Sequence, residues 1–91
     1  SALSTYMKYA ALELAGKGIR CNAVQPGRIN TPLISNRLLS EEDVTKDIEQ
    51  YPMKRYGKPE EVAHAIIYLL SDASAWVTGT NLVIDGGRSL K

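Results

Sequence analysis

The sequence predicts an α/β fold in which two parallel strands are joined through a helix, and three observations predict it. Residues 19–24 (Ile19-Arg20-Cys21-Asn22-Ala23-Val24) form a short, largely apolar run that stops at Pro26-Gly27. Val62, Ala63, Ile66, Leu69 and Leu70 recur at helical spacing. Residues 81–85 form a second short run, closed by Gly86-Gly87. Strand, helix and strand at this separation suit one right-handed βαβ crossover, the connection that parallel strands require.

Leu3, Tyr6, Met7, Ala10, Ala11 and Leu14 also recur at helical spacing and predict an amphipathic helix over residues 2–15. Gly16 and Gly18 flank Lys17, where a left-handed helix end and a turn are needed. The strand over 19–24 follows. A loop then opens at Pro26-Gly27, because proline fixes φ and glycine leaves the backbone open to close approach. In an open parallel sheet ligands bind just beyond the carboxyl ends of strands, so this loop is the candidate site. Residues 33–39 are apolar with polar interruptions, suiting either a short helix or an irregular lid. Ser40 with Asp43 resembles a capping box, and Glu41, Glu42 and Asp43 suit the positive end of a helix running to Gln50. That helix offers only Val44 and Ile48 to a core. Pro52 and Gly57 interrupt the chain, and Pro59, with Glu60 and Glu61 behind it, begins the apolar helix. Ile67 and Tyr68 widen its stripe, predicting a helix covered on much of its circumference. A turn over 71–75 and a bend over 77–79 lead into the last strand.

Ninety-one residues suffice for one small domain, and a net charge of +1 provides no broad basic face for nucleic acid. Cys21 is the single cysteine, which excludes an intrachain disulfide and a cysteine-based zinc site. Its small and apolar neighbours predict a buried structural thiol, and a lone cysteine suits a reducing cytoplasm. No run reaches the length of a membrane span and no signal peptide opens the chain, so no membrane partner is expected. His64 has no second histidine or acid at ligand spacing and is assigned no metal or catalytic role. Tyr6, Tyr9, Tyr68 and Trp76 read as packing residues.

The stretch Asn22-Ala23-Val24-Gln25-Pro26-Gly27-Arg28-Ile29-Asn30-Thr31 closely resembles the sixth strand and cofactor loop of the short-chain dehydrogenase/reductase family. The resemblance runs the length of the chain. Residues 11–20 look like the end of the family's long catalytic helix and the turn after it. Arg55-Tyr56-Gly57-Lys58-Pro59-Glu60-Glu61 looks like the start of its last helix. Trp76-Val77-Thr78-Gly79-Thr80, then Val83-Ile84-Asp85-Gly86-Gly87, looks like its final strand.

The resemblance implies a Rossmann-type, doubly wound parallel sheet, of which residues 1–91 are the C-terminal βαβ part. A long helix precedes that part, and residues 33–53 correspond to an inserted helical segment over substrate. It also implies an NAD or NADP cofactor, a small carbonyl or alcohol substrate and a homo-oligomer. By the same resemblance Pro26 and Gly27 shape the cofactor loop, backbone groups at Ile29 hold the nicotinamide carboxamide, and Thr31 bonds the carboxamide or diphosphate. The plainer role for Thr31 is to cap a helix before Pro32, and the two roles are compatible. Arg28 falls at a variable position, either touching substrate or solvated, and Asn22 reads as bonding backbone. The family's glycine-rich phosphate loop, catalytic Ser and Tyr-x-x-x-Lys pair are not in this sequence. The residue four after Tyr6 is Ala10, and four after Tyr9 is Glu13. The chain alone is therefore expected to be inactive, with no catalytic residue of its own. The closing strand is similar to those of 3-oxoacyl carrier-protein reductases and sugar or steroid dehydrogenases alike, leaving the substrate open. The contrasting expectation is a non-enzymatic association module or truncated paralogue. Two parallel strands do not make a self-sufficient sheet, which adds an expectation of self-association or disorder for the isolated chain.

Overall fold

The computed structural model describes residues 1–30 and 40–91. Thr31 and the segment expected to form a short helix or lid over 33–39 lie outside the described residues.

Helix α1 spans Ala2–Ala15 and is capped by Ser1, whose Oγ accepts from the Ser4 amide at 3.2 Å. It ends as a Schellman turn. Gly18 has φ +74°, its N–H reaches the Ala15 carbonyl at 3.0 Å, and the Ile19 N–H reaches the Leu14 carbonyl at 3.2 Å. The left-handed residue is thus Gly18, while Gly16 stays right-handed at φ −66°. Only Met7 and Ala11 are buried, so the apolar stripe is half covered, and Leu3, Tyr6 and Tyr9 are exposed.

Strand β1 is Ala23–Pro26 and strand β2 is Asn81–Ile84, paired in parallel from Ala23 opposite Asn81 to Pro26 opposite Ile84. The expected strand over 19–24 therefore starts late and ends late, for two reasons. Asn22 uses its side chain in place of a ladder: Nδ2 donates to the Val77 carbonyl at 3.0 Å and Oδ1 accepts from the Thr80 amide at 3.0 Å. Along β1, the N–H groups of Ala23 and Gly27 face the β2 side, reaching the carbonyls of Thr80, just before β2, and Ile84. By alternation the missing N–H of Pro26 falls on the outer edge and costs no ladder bond.

Helix α2 is Glu41–Glu49, capped by the Ser40 Oγ accepting from Asp43 N at 3.1 Å, with its three acids in the first turn. None of its residues is buried. Helix α3 is Pro59–Leu70, with proline in its first turn. Its only buried residue is Leu69; Ile66, Ile67, Tyr68 and Leu70 are exposed. The surfaces that would cover the rest of the expected wide stripe are not among the described residues. Among the described residues, Tyr6, Tyr9, Tyr68 and the fully exposed Trp76 likewise find no packing partner that buries them. Cys21 is a free thiol, half-buried instead of buried.

The start of α3 is held by Glu61. Its Oε1 accepts the Lys58 amide at 2.9 Å, and Arg55 donates to both carboxylate oxygens, at 2.6 and 2.8 Å. The Arg55 guanidinium, and then the Lys58 amide, hold this carboxyl well below the ordinary range, at about 2. A folded pKa depressed below the ordinary 4.5 makes a contribution that is full above that value and lost as pH falls toward about 2. Glu61→Gln is expected to lower the thermal midpoint at neutral pH, with the gap to the unaltered protein closing as pH falls through that range. A gap that stays constant with pH would refute the assignment.

Candidate functional site

Both strands end on the same side, so the loops after Pro26 and after Ile84 lie together. Gly27 sits between them: its N–H reaches the Ile84 carbonyl at 2.9 Å. A Cβ placed on Gly27 would lie 2.9 Å from Asp85 Cβ, 3.1 Å from Asp85 Cα and 3.3 Å from the Tyr51 ring. What approaches this glycine is the chain itself. Asp85 is fixed in turn, its Oδ1 accepting Gly87 N and its Oδ2 accepting Ser89 N, each at 3.0 Å. The Ser89 hydrogen bonds are the leading cause that holds its carboxyl below the ordinary carboxylate range. Gly86 and Gly87, at φ +61° and +89°, allow the chain to turn there.

Beyond Gly27 the chain runs extended against Gly57. The Gly57 N–H donates to the Arg28 carbonyl at 3.0 Å and the Asn30 N–H donates to the Gly57 carbonyl at 2.8 Å, making a parallel bridge between Ile29 and Gly57. Peptide groups are planar, with C=O and the following N–H opposed. The carbonyl of Arg28 thereby sets the direction of the Ile29 N–H, and the amide of Asn30 sets that of the Ile29 C=O. Both Ile29 groups point away from Gly57 and have no partner among the described residues. A donor and an acceptor, one residue long and uncharged, are therefore presented at the strand ends. A cavity of about 240 Å³ adjoins this loop, lined by Arg28, Ile29, Tyr51, Met53, Asp85 and Gly86 among others.

Of the residues expected to form the site, Pro26 closes β1, Gly27 spaces the two loops, and Ile29 carries the presented groups. Thr31 lies outside the described residues. Arg28 is exposed, as the solvated reading expected, but its guanidinium is paired. Its Nη1 donates to Asp47 Oδ2 at 2.7 Å, and its guanidinium carbon lies 5.9 Å from the centroid of the Tyr56 ring. Tyr51, Tyr56, Asp47 and Asp85 are site residues that the sequence reading missed. The side-chain hydrogen bonds of Arg28 and Tyr56 reach partners 9 to 23 positions away. The signals available were the motifs Arg55-Tyr56-Gly57 and Ile84-Asp85-Gly86-Gly87, which contain Tyr56 and Asp85. Among the described residues no group of three His, Cys, Asp or Glu could hold a metal, and no helix is long and apolar enough to cross a membrane.

A parallel βαβ unit with polar backbone presented past its strand ends defines part of an open, doubly wound α/β domain. The family model described as enoyl-(acyl carrier protein) reductase matches residues 1–89, and the chain belongs to this family of short-chain dehydrogenases and reductases. Cyclohexanol dehydrogenase of Acinetobacter sp. (strain SE19) is 46% identical over 84 residues, 92% of this chain and 32% of that protein. The 3-oxoacyl-acyl-carrier-protein reductase of Thermotoga maritima is 49% identical over 77 residues, 85% of this chain and 30% of that one. Among solved structures, a short chain dehydrogenase family protein from Francisella tularensis subsp. tularensis SCHU S4 superposes with a TM-score of 0.87 at 34% identity. That match covers 99% of this chain and 41% of the other. A structure of 4-hydroxyisoleucine dehydrogenase complexed with NADH superposes with a TM-score of 0.90 at 31% identity, over 99% and 37% of the two chains. The expected Rossmann-type fold is thus borne out. The chain spans about a third of the length of the curated relatives it matches.

Proposed function

We propose that residues 1–91 are the C-terminal part of one Rossmann-type domain in an NAD(P)-dependent oxidoreductase. That enzyme transfers a hydride between nicotinamide and a carbonyl or alcohol carbon of a small substrate. The observation that carries the reading is the Ile29 backbone, whose N–H and C=O are aimed outward by the bridge to Gly57. A primary carboxamide has a carbonyl acceptor and two N–H donors, so it can satisfy both groups at once. Such a clamp fixes which face of the ring is presented without adding charge beside it. The nicotinamide, when bound, supplies or takes the hydride. On this chain Gly27 holds the loop against Asp85, Ile29 orients the carboxamide, and Thr31 adds a hydroxyl contact to the carboxamide or diphosphate.

The acid/base pair belongs to residues outside this sequence, and the 91-residue chain is proposed to be inactive alone. Exposed Leu3, Tyr6, Tyr9 and Leu12 on α1, with Ile67 and Leu70 on α3, support assembly as a homo-oligomer. The half-buried free thiol of Cys21 supports a cytoplasmic setting.

The test uses the full-length protein with NADH and NADPH and a panel of carbonyl substrates. Oxidation of one cofactor is expected, and Thr31→Ala should weaken cofactor binding or turnover by a few-fold to about tenfold, the value of one neutral hydrogen bond. Binding of neither cofactor would overturn the reading, and unchanged constants in Thr31→Ala would remove the role given to Thr31.

A further inference from the structure

We propose that Arg28 is a positioning residue for the Ile29 clamp, locked by Asp47 and Tyr56 into a latch that sets nicotinamide affinity; this rests on the function proposed above.

Residue 28 is held at three points by one stretch, residues 47–57. Its N–H donates to the Tyr51 hydroxyl at 3.3 Å, its carbonyl accepts from Gly57 N at 3.0 Å, and its guanidinium donates to Asp47 at 2.7 Å. The same carboxylate oxygen of Asp47 accepts the Tyr56 hydroxyl at 2.6 Å. The Tyr56 ring stands edge-on to Tyr51, centroids 5.8 Å apart at 87°, and both tyrosines are buried. Burial, and then the bond to Asp47, hold the Tyr56 hydroxyl above its ordinary pKa, so it is a standing donor. The Arg28–Ile29 peptide plane is the one whose tilt aims the Ile29 N–H, so whatever fixes residue 28 fixes the clamp.

The latch adds a side-chain tie from α2 to backbone bonds that Tyr51 and Gly57 already make to the loop. Helix α2 buries no residue, and at nine residues it is too short to persist on local hydrogen bonds alone. Asp47 is its tie to the cofactor loop. The ion pair is part-exposed, at 45% and 33% for the two side chains, so charge alone would hold it weakly. The shared acceptor and the placing of the guanidinium over the Tyr56 ring, 5.9 Å from its centroid, add direction to it, and a lysine would not reproduce the planar fork. Without the latch the loop samples orientations in which the donor and acceptor of Ile29 are misaimed. Apparent affinity then falls by the fraction of molecules that remain correctly set.

Calorimetric binding to the full-length protein separates this from a general loss of structure. The probes are the reduced dinucleotide the protein prefers and ADP-ribose, which lacks the nicotinamide. Asp47→Ala and Arg28→Ala should each raise the dissociation constant for the dinucleotide by roughly fivefold to tenfold while moving that for ADP-ribose by less than about twofold. The double variant should be no weaker than either single one, because both break one device. Arg28→Lys should recover only part of the loss. Parallel weakening of both probes, additive effects, or no change in either variant would overturn the latch. Amide exchange at Ile29 and Asn30 is a second readout, expected to quicken in Asp47→Ala, and unchanged exchange would also overturn it. If the unaltered protein binds neither dinucleotide, the proposed function fails, and the exchange measurement still decides whether the latch holds the loop.

Discussion

Replacing Arg20 with leucine is expected to cost the full-length protein about 3 kcal/mol of stability, from hydrogen bonds of a charged donor at roughly 1.5–3 kcal/mol each. Arg20 lies just before β1, yet its guanidinium serves the far end of the crossover. Its Nη2 donates to the Leu69 carbonyl at 2.9 Å and the Ser71 carbonyl at 3.3 Å, and its Nη1 donates to the Val77 carbonyl at 3.1 Å. Leu69 stands in the last turn of α3, where carbonyls have no intrahelical partner and the helix dipole favours a cation. Ser74, almost fully buried, shares two of these acceptors, its Oγ donating to Leu69 O at 3.0 Å and Ser71 O at 3.1 Å. Leucine would fill the space of the stem but leave these carbonyls with fewer donors. Arg20→Lys keeps the charge, reaches only one site at a time, and should lose roughly half as much. Denaturant unfolding of the two variants measures both values. A loss below about 1 kcal/mol for Arg20→Leu would mean that water replaces the guanidinium without penalty.

The contrast between Arg20 and the helices marks what the sequence made legible. All three α-helices could be placed, because Ser40 and Pro59 act locally and the apolar residues of the first and last helices repeat at the helical period. Gly18 could be read as part of a left-handed turn for the same reason. The start of β1 could not, because Asn22 bonds to Val77 and Thr80, more than fifty positions on, and takes over where the backbone ladder was expected. A buried setting for Cys21 was inferred from its neighbours in sequence, whereas exposure is set by neighbours in space. At the site, the Pro26-Gly27 punctuation and the family pattern through Ile29 were legible. Asp47, Tyr51 and Tyr56 were not, since their value to the site comes from meeting Arg28 across the loop. Arg28 read as either solvated or substrate-facing, two options that both omit a carboxylate nineteen residues away.

Gly27→Ala is expected to destabilise the full-length protein by about 1–3 kcal/mol and to weaken dinucleotide binding with it, as an overpacked contact that rigid neighbours cannot relieve. Gly27 does not occupy the left-handed region, so the requirement is space and not φ. The added carbon would meet Asp85 Cβ at 2.9 Å and Asp85 Cα at 3.1 Å, and a backbone atom cannot swing aside. Asp85 is further pinned through the amides of Gly87 and Ser89, and Gly27 through the Ile84 carbonyl. Relief must come from parting the ends of β1 and β2, which shifts Arg28 and turns the Ile29 groups with it. Two other glycines give the controls. At Gly57 the carbon would meet the tip of the Ile29 side chain at 2.8 Å, which can rotate, so Gly57→Ala should cost less stability. Gly16 has φ −66° and nothing within 4 Å of an added carbon, so Gly16→Ala should be neutral or stabilise by up to ~1 kcal/mol through the unfolded chain. Thermal or denaturant unfolding ranks the three. Should Gly27→Ala prove as harmless as Gly16→Ala, the close approach of the two loops would not be what holds the site together.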